Sequence, residues 1–201
     1  MYDGFLREID YLRLSITSRC NLFCNYCRSK EACEISKTEL KTEDIIKIIS
    51  VFHKLGIKKL RLTGGEPLLR EDIFEIIDFS AKIGIDDINI TTNGVFDDFI
   101  INKLIESKVF SINISLDTLD KKRYFELTSV DALDIVKNTI KKLSILKKVK
   151  VNTVLMKTVN FDKIEELIEF SKENNVLIRF IELMPIGVAN NIFEKEFIGI
   201  D

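Results

Sequence analysis

Three of the four cysteines fall in one short stretch, Cys20-Asn21-Leu22-Phe23-Cys24-Asn25-Tyr26-Cys27, spaced Cys-x3-Cys-x2-Cys. Three thiolates at that spacing can ligate three irons of a cubane [4Fe–4S] cluster and leave the fourth iron without a protein ligand. A fourth cysteine at ferredoxin-like spacing would close the cluster into an electron carrier. An open iron instead offers a position to a small molecule, as the open position of a catalytic zinc does. The plain alternative is a structural zinc site with Cys33 as fourth ligand. Against it stands the placing of the triplet after a strand and ahead of Gly64-Gly65-Glu66-Pro67. Cys33 otherwise reads as an incidental thiol. His53 lies in a helical stretch and reads as a surface or packing residue. Glu66 and Glu182 could act as a general acid and base, or could hydrogen-bond to a cofactor or to backbone.

Composition narrows the setting. At 201 residues the chain is expected to be a single domain, 1–201, with a sizeable core. It is 46% hydrophobic and 31% charged with a net charge of −2, so no basic footprint points to nucleic acid. The pairs Lys58-Lys59, Lys141-Lys142 and Lys147-Lys148 read as solvated faces. No apolar run reaches membrane-spanning length, and residues 1–8 do not read as a signal peptide. Clustered cysteines without such a signal point to the reducing cytoplasm, and to metal rather than disulfides.

The elements that must position the cysteines follow from periodicity. Tyr11 to Ile16 alternates as a strand, and the cysteine loop comes directly after it. Thr42 reads as the N-cap of a helix ended by Gly56. The phrase Leu55-Gly56-Ile57-Lys58-Lys59-Leu60-Arg61-Leu62-Thr63 is answered 28 residues later by Ile83-Gly84-Ile85-Asp86-Asp87-Ile88-Asn89-Ile90-Thr91, with a looser echo at Lys108 to Ser115. Helices are expected over Glu71–Lys82, Asp97–Glu106 and Lys121–Leu146, the last broken near Thr128-Ser129. Further strands are expected at Lys150–Leu155 and Leu177–Glu182, with a helix capped by Asn160 between them. Six strands alternating with helices make an α/β protein with a parallel sheet. The repeat favours a partial (β/α)6 TIM-like barrel over a flat doubly wound sheet.

Within the strands, Leu60, Leu62, Ile88, Ile90, Ile112 and Ile114 fall on one face, to pack under helices. The other face carries Arg13, Ser15, Arg61, Thr63, Asn89, Thr91, Asn113, Ser115, Lys150 and Asn152. Burying so many unpaired polar groups would cost roughly 1–3 kcal/mol each, so this face is expected to line a wet or ligand-filled channel. Ligands of parallel α/β folds sit at the carboxyl ends of the strands. The cysteine loop and the Gly-Gly-Glu-Pro turn both follow strands, so both belong to that end.

Cys20-x3-Cys24-x2-Cys27 with Tyr26 before the last cysteine, followed by Gly64-Gly65-Glu66-Pro67, resembles the radical S-adenosylmethionine superfamily. Leu12-Arg13-Leu14-Ser15, Arg61-Leu62-Thr63-Gly64-Gly65-Glu66-Pro67-Leu68-Leu69-Arg70, Thr91-Thr92-Asn93-Gly94, Asn113-Ile114-Ser115-Leu116-Asp117, Lys150-Val151-Asn152 and Arg179 to Gly187 resemble the GTP 3′,8-cyclase branch, which opens molybdopterin synthesis. The resemblance implies one [4Fe–4S] cluster on Cys20, Cys24 and Cys27. It implies S-adenosylmethionine held by Tyr26, Gly64, Gly65, Glu66, Ser115 and Met184. GTP would meet Arg13, Arg61, Thr91 and Lys150, with Arg179 a weaker candidate. It further implies reductive cleavage of S-adenosylmethionine, a lyase activity yielding (8S)-3′,8-cyclo-7,8-dihydroguanosine 5′-triphosphate, and a flavodoxin- or ferredoxin-type reductant.

The resembled cyclases also carry a second three-cysteine group, and this sequence has no cysteine after Cys33. A second cluster is therefore not expected on residues 1–201, and cofactor cleavage is better supported than GTP cyclisation. A radical enzyme acting on another substrate, such as a peptide, and a non-catalytic metal-binding remnant are the alternatives. Open sheet edges invite association, so a homodimer is expected.

Overall fold

Leu60, Leu62, Ile88, Ile90, Ile112 and Ile114 are each 0% exposed, and the strands that carry them are the centre of the molecule. The structure is a computed structural model that describes residues 2–27 and 39–199; Cys33 lies outside the described residues. Six strands, β1 (Tyr11–Ser15), β2 (Lys59–Thr63), β3 (Asp87–Thr92), β4 (Ser111–Ser115), β5 (Lys148–Leu155) and β6 (Leu177–Glu182), form one sheet in the order of the chain. Every neighbouring pair is parallel. Sequential parallel order needs a crossover at each step. These are supplied by α1 (Thr42–Lys54), α2 (Ile73–Lys82), α3 (Asp98–Glu106), α4 (Lys121–Thr128) with α5 (Leu133–Ser144), and α6 (Ile164–Glu173). A short helix, α7 (Phe193–Glu196), follows β6. The architecture is the partial (β/α)6 barrel that the repeat predicts. Among the described residues β1 and β6 are edges and do not pair with each other.

Each helix turns an apolar stripe inward. Ile45 and Ile49 of α1, Ile73, Ile76 and Ile77 of α2, and Val136, Ile140 and Leu143 of α5 are buried against the outer face of the sheet. A second, smaller cluster of Leu127, Met156, Leu183 and Ala189 sits beyond the strand ends, and Tyr26 packs against it. His53 is a packing residue: its ring lies against the Ile57 carbonyl, Nδ1 to O 3.3 Å. No helix among the described residues is long and apolar enough to cross a membrane.

Two capping expectations are corrected. Thr42 is the first helical residue rather than the cap, and its hydroxyl donates to Asp72 Oδ2 at 2.6 Å. Asn160 does stand at the N-cap position of the 3-10 turn Phe161–Lys163 that leads into α6, but its side chain makes no capping hydrogen bond. Its side chain accepts from the Met156 N–H and donates to the Asp117 and Val154 carbonyls, tying the end of β5 to the loop after β4. In both cases a tertiary partner competed with the local backbone for the same polar side chain. The long helix does break where expected: Ser129 takes φ +60° and ends α4.

Ile112 is central in β4 and fully buried. Ile112→Ala should cost about 2–5 kcal/mol of stability, read as a lower midpoint in urea unfolding.

Candidate active site

The loop after β1 has neither helix nor strand between Asn21 and Cys27, so its backbone depends on neighbours. Its stem pairs with the turn after β2: Gly65 N–H donates to the Thr17 carbonyl at 2.8 Å and Glu66 N–H to the Arg19 carbonyl at 2.7 Å. This approach explains one glycine. A Cβ on Gly64 would lie 2.4 Å from the Thr17 carbonyl oxygen. The tip hangs from the end of α4, with Phe23 N–H on the Thr128 carbonyl and Asn25 N–H on the Leu127 carbonyl, each at 3.0 Å. Arg70, 6% exposed, clasps the base. Its Nη1 donates to the Ile16 carbonyl at 3.0 Å and the Leu40 carbonyl at 3.1 Å, and Asp72 pairs with it. Glu39 adds pairs to Arg19 and Arg70 and accepts from the Thr17 hydroxyl.

So fixed, the loop sets Cys20, Cys24 and Cys27 around a cavity of about 280 Å³ at the carboxyl ends of the strands. Its walls include Arg13, Thr63, Thr91, Ser115 and Asn152 from the polar strand face. Among the described residues no three His, Cys, Asp or Glu side chains are arranged to hold one metal ion. A cubane makes no such demand, because each cysteine takes a separate iron. Burial pushes the Cys24 thiol up, and the Asp117 carboxylate and the sulfurs of Cys27 and Cys20 add to the shift. Crowded thiols, one of them buried enough to be pushed up, need cationic metal to become thiolates. Across the cavity Asn152 presents a buried Oδ1 that has no hydrogen-bond partner among the described residues. The three sulfurs on one rim and an acceptor awaiting a donor across the cavity fit a cluster with a small polar molecule beside it.

The expected residues divide. Tyr26, Gly64, Gly65 and Ser115 line the cavity, as do Arg13 and Thr91. Glu66 does not. Its carboxylate, 1% exposed, accepts from Leu68 N–H at 3.0 Å, the Thr92 hydroxyl at 2.8 Å and Asn93 N–H at 2.7 Å, welding the turn after β2 to the end of β3. Met184 is 59% exposed and lies outside the lining. Arg61 and Lys150 also lie outside it, farther down the inner face. The register sets Arg13 opposite Arg61, Asn113 opposite Lys150, and Asn152 opposite Arg179.

These cations repel one another. Lys150 is held below its ordinary value by burial first, then by Arg179, Lys148 and Arg61. Burial and then Arg61 lower Arg179 in the same way. Among the described residues none of Arg13, Arg61, Lys150 and Arg179 makes an ion pair. The Nε atoms of Arg61 and Arg179 are buried without partners. Arg179 spends one donor on Asn113 Oδ1 at 2.7 Å, and Arg61 lies over the Tyr11 ring at 5.8 Å.

Two side chains important to this geometry stand inside phrases that carry the resemblance but drew no role from the sequence. Asp117 accepts the Tyr26 hydroxyl at 2.7 Å and the Val154 N–H at 2.7 Å, which fixes the ring beside the cysteines. Asn93 reaches from the end of β3 to Asn21 and Cys20.

Burial pushes the Glu66 carboxyl up to about 7, against its three hydrogen bonds. The folded chain then binds more protons than the unfolded chain between about pH 4.5 and 7, so stability falls as pH rises through that window. The slope attributable to Glu66 should reach about 1 kcal/mol per pH unit. Denaturation midpoints measured across the window should lose that slope in Glu66→Gln.

The sequence matches the Radical SAM superfamily over residues 14–171. The protein named GTP 3′,8-cyclase of Clostridium perfringens is 45% identical over 204 residues, and that of Lactiplantibacillus plantarum is 42% identical over 205. Both matches take in 100% of this chain and 62% of the relative, so the chain spans less than two thirds of their length. Streptococcus suis SuiB superposes with a TM-score of 0.71 at 27% identity, covering 85% of this chain and 38% of that one; its form bound to S-adenosylmethionine gives 0.70. The structure of anSMEcpe with bound AdoMet and a Kp18Cys peptide shares the fold, with a TM-score of 0.71 at 19% identity over 87% of this chain and 51% of that one. The matched span runs from β1 into α6 and takes in the cysteine loop, the turn after β2 and the cavity between them, and the chain belongs to the radical S-adenosylmethionine superfamily.

Proposed function

We propose that Cys20, Cys24 and Cys27 hold a [4Fe–4S] cluster, that S-adenosylmethionine occupies the adjoining cavity, and that the substrate is GTP. Held by Cys20, Cys24 and Cys27 and fed by a flavodoxin- or ferredoxin-type reductant, such a cluster would supply the single electron needed to cleave bound S-adenosylmethionine reductively, to methionine and a 5′-deoxyadenosyl radical. A site needing a reduced cluster and free thiols suits the reducing cytoplasm.

The chain's own residues bind, orient and keep out water. Gly64 and Gly65 give a wall without side chains, so backbone can approach the cofactor closely. Ser115 and Asn152 offer polar atoms on the opposite wall, and Asn152 Oδ1 awaits a donor. Tyr26 is pinned to Asp117 and so presents a fixed ring face. Glu66 acts at one remove, by holding the turns that carry Gly65 and Asn93. Leu22, Leu127 and Val154 exclude water from the apolar part of the cavity.

The observation that carries the substrate is the set of unpaired cations beside the cavity. Like charges directly opposite on neighbouring strands are destabilising, and Arg13 and Arg61 are such a pair. With Lys150 and Arg179 on the same face, a polyanion would turn this mutual repulsion into attraction. A nucleoside triphosphate answers that demand. Its phosphates would reach down toward Arg61, Lys150 and Arg179, leaving its sugar nearer the cofactor. The curated relatives named GTP 3′,8-cyclase agree with GTP as that triphosphate. A peptide without acidic residues gives no reason for the cations.

Titration calorimetry with GTP tests the reading. Lys150→Ala and Arg61→Ala should each weaken binding about ten- to a hundredfold, the loss of a hydrogen bond to a charged group. Inorganic tripolyphosphate should compete for the wild-type site. Unchanged affinity in both variants would count against GTP, as would failure of the reduced, loaded protein to convert GTP to a cyclised nucleotide.

A further inference from the structure

We infer that Asn93 donates a hydrogen bond to the sulfur of Cys20 and thereby raises the reduction potential of the cluster. The inference rests on the cluster reading above. Asn93 Nδ2 lies 3.7 Å from Cys20 Sγ and 2.7 Å from Asn21 Oδ1. Which end of each amide is nitrogen follows from the backbone of Val95. Its N–H can only donate, and it lies 2.9 Å from Asn93 Oδ1. Its carbonyl can only accept, and it takes Asn21 Nδ2 at 2.9 Å. The oxygen of Asn21 is therefore left facing the amino group of Asn93. Three bonds close a ring from Val95 to Asn93, to Asn21 and back to Val95. Flipping either amide would set donor against donor or acceptor against acceptor.

One N–H of Asn93 is thus spent on Asn21, and the other is directed at sulfur. The backbone supports that aim. Asn93 N–H is held by Glu66 Oε2 at 2.7 Å, and Gly94 turns the chain at φ +78°. A Cβ on Gly94 would come within 2.9 Å of Ile114 Cγ2, so the turn is packed as well as bonded. The donor is therefore preorganised toward Cys20 by groups that do not touch the cavity's contents.

Its effect follows from charge. When one electron enters the cluster, no bond breaks and Asn93 keeps its proton. The ligating sulfur becomes more negative, and a hydrogen bond to a charged acceptor is stronger than one to a neutral acceptor. The reduced state gains more than the oxidised state, and hydrogen bonds to the sulfurs are among the determinants of such potentials. Asn93 acts through Cys20 and is a tuning residue, not a catalytic one.

The test is a potentiometric titration followed by electron paramagnetic resonance, on full-length chain reconstituted anaerobically with iron and sulfide. Asn93→Leu removes the donor at similar size, and Asn93→Asp keeps the acceptor that Val95 needs. At the wild-type midpoint the reduced-to-oxidised ratio should fall about three- to tenfold in Asn93→Leu, the worth of one hydrogen bond, and further in Asn93→Asp, whose carboxylate adds a negative charge beside the sulfur. A tenfold fall corresponds to a midpoint about 59 mV lower for a one-electron couple. Iron and sulfide content should stay at the wild-type level. An unchanged midpoint in variants that retain the cluster overturns the inference alone. Loss of the cluster from both variants assigns Asn93 a purely structural part and also overturns it. A wild-type chain that takes up no four-iron cluster overturns the cysteine reading, and this inference with it.

Discussion

The cysteine loop has no secondary structure of its own, and backbone polar groups must find partners somewhere. Here they find them on other loops at the same end of the sheet. Thr17 and Arg19 lend their carbonyls to Gly65 and Glu66, and Phe23 and Asn25 donate to the end of α4. Arg70 closes the base by binding the carbonyls of residues 16 and 40 from the inside. The three sulfurs therefore inherit their positions from β2, β3 and α4 rather than from the loop that carries them. That dependence explains the short distance between Gly64 and the Thr17 carbonyl, where any side chain would push the loop away from the turn. It also explains why a buried carboxylate, Glu66, sits between the two turns that flank the loop.

A second constraint comes from the inner face of the sheet. Parallel strands covered on both sides usually carry apolar residues on both faces, and here the inner face is mainly polar. The inner polar groups pair partly with each other: Asn113 with Thr91 and Arg179, and Asn89 with Asp87 and Ser111. What stays unpaired is informative. It is the Oδ1 of Asn152 beside the cavity and the guanidinium Nε atoms of Arg61 and Arg179 below it. The leftover acceptor and the leftover cations mark two adjoining regions of one site, one suited to a small polar cofactor and the other to an anion.

Much of this was legible in the sequence, and what was not has physical reasons. The alternation of Leu60-Arg61-Leu62 and Ile112-Asn113-Ile114 gave the two faces directly, because side chains of a strand point alternately. Six strands alternating with helices gave the parallel sheet, and the repeat favoured the partial barrel whose strands the structure sets in chain order. Neither Thr42 nor Asn160 makes a side-chain cap, because a polar side chain that suits a helix start also suits a tertiary hydrogen bond, and no local pattern says which will win. Glu66 was read with the cofactor because it stands in the Gly-Gly-Glu-Pro turn; its partners Thr92 and Asn93 are 26 and 27 residues away. Longer separations, 73 and 91 residues, hide the pairs Asn93 with Cys20 and Tyr26 with Asp117. Proximity across a barrel mouth is made by the fold, not by spacing along the chain.

The account stands or falls on the rim of three sulfurs and the cavity it faces. The most direct measurement is chromatographic detection of 5′-deoxyadenosine after reduction of the iron- and sulfide-reconstituted protein with S-adenosylmethionine present. The account predicts its formation together with methionine in equal amounts, and neither product when Cys24 is replaced by Ala. A protein that carries a full four-iron cluster, is reduced, and still leaves S-adenosylmethionine intact would contradict it.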